Sequence, residues 1–515
     1  EKGAVTEAEK RGRWLQFAGA LLRRVEQWAE GMDGKFGGPF LRYVFQPVKA
    51  AADAYRTDRV KYRAQFAALL DSVAPSLRKG LIEAPELGYT FGKGHNGIGH
   101  AELLHAILHT GNESNKRKLL LGRRWAVENM DGTLDTSRWD AFIKRMHDTG
   151  VLGKVHYDFA QGVWDLLESM KPLAQKTHRD VFGRYFAEVT ADSFSTPFGA
   201  YRGGYVPAQA DPLLVQDAEL RTLIETGKEG MVHAFPTTSK GFTKGRVEYN
   251  RPLMLDLRTL GQHIDKVLLF SHMEPAVRSV NKLLRQKGVS QPLSRIDPSI
   301  YEGMLIPWLN RAARQQVETP IVGDGKISRV LSVVRARAGM SLMFANVSNT
   351  LQQLTGLSNA LVKVSAGSLR GAVAQYIAHP KKTAEAVASA SEFMANRMAN
   401  EISAINDTIN DILLDPSAYE RAQAWTQKHA YFLQSAFDNV IGPIVWTGAY
   451  NDGLKQGLSE RDAVKLADGV VRQTQGSTLA EDVSRIETGP AYARVFTQFI
   501  GYFNMMANTN ATALK

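Results

Sequence analysis

The feature that most constrains the fold is an amphipathic helical pattern near the C-terminal end of the sequence. Ser459 and Asp462 have the spacing of a variant capping box, which predicts a helix start. Gly476 is placed to end that helix. In between, apolar residues recur with the spacing of a helix that packs one face on a core. They are Ala463, Leu466, Ala467, Val470 and Val471.

The same helix carries a second, polar row at spacings of four and three: Asp468, Arg472 and Gln475. A helix needs only one apolar face to fold, so an ordered polar row indicates a specific contact. We predict that this row forms an interface with a partner, either another helix of the chain or another molecule. None of the three residues is assigned a catalytic role.

Helical patterns recur along most of the chain, and one region departs from them. Between Thr190 and Asn250, Gly, Pro, Thr and aromatic residues are concentrated, which is typical of a long structured loop. Gly241 to Tyr249 is a candidate for a short hairpin within it. We therefore predict a mainly α fold, an elongated or multi-lobed helical assembly with an irregular central loop or hairpin insertion.

Breaks in the helical pattern suggest five consecutive segments. An N-terminal helical hairpin at 1–80 precedes a helical domain with a His-rich segment at 81–190. The irregular insertion at 191–254 and a helical segment at 255–320 follow, and a C-terminal helical domain occupies 321–515.

The amino-acid composition permits a large core and excludes several kinds of chemistry. Hydrophobic residues make up 44% of the 515 residues, enough for a sizeable core. Cys is absent, which excludes disulfides, thiol catalysis and Cys-based zinc sites. No run of about 18 apolar residues occurs, so no transmembrane helix is expected. Because the sequence starts at Glu1 without Met, we expect it to begin inside a longer precursor.

A formal charge of +11 is compatible with DNA or anionic-membrane contact, although a solvated basic surface would give the same balance. The sharpest basic cluster is the loop that contains Lys240, Lys244, Arg246 and Arg251, interleaved with aromatic residues. Cations attract phosphates and aromatic rings stack on bases, so this loop is a candidate for DNA or anion contact. The alternative is an exposed hairpin whose cations are only hydrated.

Four His residues fall within a short stretch, and two of them share a helical face with an acid. Glu102, His105 and His109 lie at i, i+3 and i+7, and Glu-x-x-His is a spacing found in metal-binding helical bundles. A metal site is therefore one hypothesis, and a helix face packed against the preceding loop is the alternative. No cofactor is expected. Catalytic residues are not identified, because no nucleophile-elbow motif occurs.

Three stretches of the sequence are WTGAY (446–450), ADGVVRQTQG (467–476) followed by Glu481-Asp482, and HTGNESNKRKLL (109–120). These and other stretches resemble the large polyvalent proteins encoded by bacteriophages. Some related large phage proteins travel inside the virion and enter the host with the genome. The resemblance implies a non-enzymatic structural module of an internal virion or genome-ejection protein.

The resemblance also sets the expected partners and location. We expect self-association or contact with other virion proteins, with DNA and the host envelope as further candidates, and no small-molecule substrate. The expected location is the phage virion, then the host envelope or cytoplasm after injection. Two alternatives stay open: a co-injected DNA-protection or antirestriction factor, and a cell-wall or metal-dependent hydrolase.

Overall fold

A computed structural model describes most of the chain. The described residues are 23–34, 37–89, 97–186, 188–208, 252–297, 299–315, 357, 359–399, 432–475 and 479–488, together with 405–406, 408–409, 412–413, 504 and 507–508. Helices dominate these residues, which confirms the predicted mainly α fold class. Within them, no helix combines the length and apolarity needed to cross a membrane.

The α-helices are numbered here in chain order. In the first half they are α1 (Val25–Asp33), α2 (Gln46–Leu77), α3 (His100–His109), α4 (Glu113–Gly122), α5 (Ser137–Asp148) and α6 (Lys154–Phe182). In the second half they are α7 (Arg258–Leu284), α8 (Lys287–Ile296), α9 (Ile306–Arg314), α10 (Ala366–Ala378), α11 (Pro380–Ala390), α12 (Glu392–Ala399), α13 (Phe432–Lys455) and α14 (Glu460–Thr474). One-turn π-helices at Leu41–Phe45 and Ile300–Leu305 lead directly into α2 and α9.

The strands in the described residues form two short antiparallel pairs. Strand β1 (Val127–Glu128) pairs with β2 (Leu134–Asp135), and β3 (Phe194–Thr196) pairs with β4 (Gly199–Tyr201). The second pair lies inside the segment predicted to be irregular. Most of that predicted insertion, including the hairpin predicted at Gly241 to Tyr249, lies outside the described residues.

The chain divides into two compact units. Unit 1 contains Glu1–Thr57, Met273–Asn400 and Ala418–Lys515, and unit 2 contains Asp58–His272 and Glu401–Ser417. Each unit thus gathers segments that are distant in the sequence. The five predicted segments follow one another along the chain, and their boundaries stay a prediction.

One hydrophobic core cluster of unit 1 forms where five helices, α10 to α14, bring their apolar faces together. The predicted apolar face of α14 supplies Ala467, Val470 and Val471, all buried, while Leu466 packs at the edge of the core. Helix α13 adds Val445 and the Trp446 ring. The apolar spacing predicted from Ala463 to Val471 therefore corresponds to the core-facing surface of α14, while the helix end predicted at Gly476 lies outside the described residues.

The core of unit 2 is rich in tryptophan. The rings of Trp125 and Trp139 stack with centroids 5.4 Å apart. Trp164 of α6 is fully buried and donates its indole N–H to the Leu108 carbonyl over 3.0 Å. This bond satisfies the one polar atom of a large buried ring, as buried Trp side chains generally require.

Candidate functional site

The most concentrated group of buried charges in the described residues surrounds Arg472 in unit 1. Its Nη2 donates to both carboxylate oxygens of Asp53, over 2.8 and 3.0 Å. Its Nη1 donates to Asp482 Oδ2 over 2.8 Å and to Glu481 Oε1 over 3.4 Å. Arg472 is 1% exposed. One guanidinium thus joins three carboxylates from two distant stretches of the chain.

A second arginine closes the network. Arg56 Nη2 donates to Asp53 Oδ1 over 2.6 Å and to Glu481 Oε1 over 2.5 Å. Its Nη1 reaches Gln315 Oε1 over 3.1 Å. Asp53 and Glu481 therefore each lie between two guanidinium groups. Such doubly shared carboxylates retain their bonds only if both arginines keep their positions.

Local structure places each group. Asp53 and Arg56 are one helical turn apart on α2, so both side chains leave the helix on one side. Glu481 is held through its backbone, because the Trp308 indole donates to the Glu481 carbonyl over 2.8 Å. The Phe393 ring covers the remaining face of Arg472, with its centroid 3.9 Å from Cζ. This cation–π contact shields the guanidinium from solvent.

The electrostatics favour the ionised forms. Burial acts to raise the pKa of Asp53, but Arg472 and Arg56 outweigh it, and the pKa of this carboxyl lies below its ordinary value. Burial acts to lower the pKa of Arg472, whereas Asp482, Asp53 and Glu481 hold it well above the ordinary value. Mutual pairing therefore keeps these buried groups charged.

Asp468 and Gln475, the other two members of the predicted polar row, make contacts that differ from those of Arg472. Asp468 is buried, and its Oδ1 accepts from the Trp446 indole over 2.8 Å and from Ser391 Oγ over 2.7 Å. Gln475 is half-buried at the end of α14, and its backbone N–H caps the Val471 carbonyl. Asp468 and Arg472 thus both contact other helices of unit 1, while a contact with another molecule stays a prediction.

The predicted metal ligands sit on α3 in unit 2. His105 and His109 are fully buried, and their rings stack with centroids 4.9 Å apart. Glu102 does not join them, because its Oε2 accepts from the Gly99 N–H over 2.7 Å at the start of the helix. The described residues hold no group of three side chains arranged as a metal site. The metal hypothesis stays a prediction.

The basic residues predicted to contact DNA or an anion lie outside the described residues: Lys240, Lys244, Arg246 and Arg251.

Sequence reasoning missed the acids that complete the network. In the sequence, Glu481 and Asp482 stand out only as part of a resemblance, and neither Asp53 nor Arg56 belongs to a predicted site. One usable signal was the Asp53/Arg56 spacing, which suits an ion pair along a helix. Nothing in the sequence indicated that Arg472 would lie beside residues 419 positions away.

Comparison with known protein families, curated proteins and solved structures finds no match to this chain. The geometry of the two units is therefore the main guide to function.

Proposed function

We propose that this chain is a non-enzymatic structural module of a bacteriophage, part of an internal virion or genome-ejection protein delivered with or alongside the phage DNA. The observation that carries the proposal is the ion network around Arg472. Its acids and guanidinium groups bond to each other and join distant segments of unit 1. Buried polar networks of this kind are well suited to fixing one arrangement of helices.

Three further features support the same role. The described residues are mostly helical, which suits a scaffold built from packed helices. The net charge of +11 would lower the cost of lying next to DNA. The resemblance to large phage proteins supplies the context. The proposed partners are copies of the chain or other virion proteins, with DNA and the host envelope as secondary contacts.

The test is the presence of the protein in particles. Virions of the encoding phage, purified away from lysate and treated with protease, would be analysed by quantitative mass spectrometry. We expect the protein at a fixed copy number per particle. Arg472→Met should reduce that number, whereas Arg461→Met, an exposed change on the same helix, should not. Absence of the wild-type protein from purified particles would refute the proposal.

Two further assays separate the alternatives. An antirestriction factor would be needed for growth on restricting hosts and dispensable on non-restricting ones. A cell-wall hydrolase would clear a peptidoglycan zymogram, and a metal-dependent one would lose that activity with chelator. The proposed structural module should affect growth on both kinds of host and leave the zymogram unchanged.

A further inference from the structure

A buried acid lies beside the Arg472 network without belonging to it. Glu26, on α1, is 5% exposed. It faces the backbone of α14 at Gly469, where an added Cβ would lie 3.0 Å from Glu26 Oε1. The carboxyl group thus occupies space that a side chain at position 469 would need. Close packing here means that any change in the charge or solvation of Glu26 acts directly on the contact between α1 and α14.

The charged side chains around Glu26 sum to zero when Glu26 itself is not counted. Those that act on it are Lys49, Glu30, Asp482 and Arg472. Glu30 is already engaged, because it accepts from Lys363 Nζ and from Gln473 Nε2, each over 2.9 Å. Taken with Lys49, the ions of the Arg472 network are three cations and three carboxylates: Lys49, Arg56 and Arg472 against Asp53, Glu481 and Asp482.

Glu26 is therefore the acid in excess. Lys49 is not a direct partner for it, because the Lys49 ammonium is buried with no hydrogen-bond partner among the described residues. An ionised Glu26 would add a fourth negative charge to this group of ions, which is neutral without it. Burying a charge that lacks a close partner is strongly unfavourable, and a carboxyl group in this position usually becomes neutral by protonation.

We propose that Glu26 is a proton-binding site that locks unit 1: the neutral acid is accommodated between α1 and α14, and loss of its proton loosens the contact of α1 with Gly469. The pKa of Glu26 agrees with this role. Burial, the largest cause, raises the pKa from 4.5 to about 8, while Lys49 opposes the rise and Glu30 adds to it. The proton site stands independently of the proposed role in the virion.

The direction of the pH effect follows from the raised pKa. Folded unit 1 holds this proton more tightly than the unfolded chain does, so proton binding favours the folded state. That contribution is fully present below the unfolded value of 4.5 and is lost as the pH rises through the folded value of about 8. Unit 1 should therefore loosen on the alkaline side of neutrality.

Infrared spectroscopy of the full chain tests the site directly. At about pH 7 exposed carboxyl groups are ionised, so a protonated carboxylic-acid band reports a buried acid. We expect this band in the wild type, its loss at about pH 9.5, and its absence from Glu26→Gln. Glu460→Gln, which changes an exposed acid on α14, is the control and should keep it. No band at about pH 7, or a band that persists in Glu26→Gln, would overturn the proposal.

A second variant keeps the proposal falsifiable if Glu26→Gln folds poorly. Lys49→Met removes the cation that favours the ionised acid, so the band should persist to higher pH than in the wild type. An unchanged or lower pH midpoint of the band would refute the proton-binding site.

Amide hydrogen exchange measures the proposed conformational change. Exchange over residues 25–33 should accelerate above about pH 8 in the wild type beyond the intrinsic pH effect, and Glu26→Gln should lose this excess. Equal acceleration in both proteins would refute the lock.

Discussion

Arg472 Nη2 lies 2.8 Å from Asp53 Oδ1, although 419 positions separate the two residues in the sequence. Unit 1 therefore cannot complete its interior until residues near both ends of the chain have come together. Closing so long a loop costs entropy before the contact returns any stability. A buried ion pair does not by itself imply high stability, because desolvation offsets much of the attraction, but removing one partner is costly.

Arg472→Met is expected to destabilise unit 1 by about 3–5 kcal/mol. The change keeps most of the side-chain volume but leaves Asp53, Glu481 and Asp482 buried without their shared cation. Urea denaturation followed by circular dichroism measures the loss. Arg461→Met, an exposed substitution on the same helix, should stay within about 0.5 kcal/mol. Similar losses for both variants would show that the network does not act as described.

Asp468→Ala should also destabilise unit 1, for a different reason. Asp468 Oδ1 accepts from both the Trp446 indole and Ser391 Oγ. Alanine would leave these two buried donors unsatisfied, at a cost of about 1–3 kcal/mol each. Asp468→Asn keeps an acceptor oxygen and should lose less. Denaturation midpoints of the two variants make the comparison, and an alanine variant as stable as the asparagine one would contradict the double-acceptor role.

The helices of the chain were largely predictable, because their signals are local. Ser459 caps α14 as expected, accepting from the Asp462 N–H over 3.2 Å. Helix α6 shows the limit of such signals. It ends at Phe182, because Gly183 adopts a left-handed conformation with φ of 73°. The sequence alone does not indicate whether a glycine within a long helical pattern will end the helix.

The site was only half predictable, because its partners are not local. Arg472 stood out as polar on the second face of an amphipathic helix. The identity of its ligands depends on how distant segments pack, and helical periodicity carries no information about that. Gln475 shows the same limit of helical periodicity. Its spacing places it in one row with Arg472, but in the structure it lies at the end of α14.

Acid should weaken unit 2 through its buried histidines. Burial lowers the pKa of His105 to about 4 and that of His109 well below its ordinary value. None of their four ring nitrogens has a hydrogen-bond partner among the described residues. A depressed folded pKa means that the unfolded chain takes up protons first as the pH falls below about 6.5. Each such histidine then lowers the stability by about 1.4 kcal/mol per pH unit until its folded pKa is reached.

Replacing one member of the pair measures this effect. His105→Leu should flatten the fall in stability between about pH 6.5 and about pH 4, because one proton uptake on unfolding is lost. Urea titrations at several pH values, read by tryptophan fluorescence, give the slope. His379→Gln, an exposed change in unit 1, is the control and should leave the slope unchanged. An equally steep fall in His105→Leu would show that this histidine does not drive acid sensitivity.

Gly204→Ala should destabilise unit 2 by overpacking. An added Cβ would lie 2.5 Å from the Trp164 Cβ, closer than two carbon atoms tolerate. Neither side can move freely, because the Gly204 N–H donates to the Gly111 carbonyl over 2.8 Å and the Trp164 indole is bonded to Leu108. Forced insertion of a methyl group into such a site costs about 1–3 kcal/mol. Gly80→Ala is the matched control, because nothing lies within 4 Å of the added atom there. Denaturation followed by tryptophan fluorescence should show a lower midpoint for Gly204→Ala alone, and equal midpoints would mean that the Trp164 contact can relax.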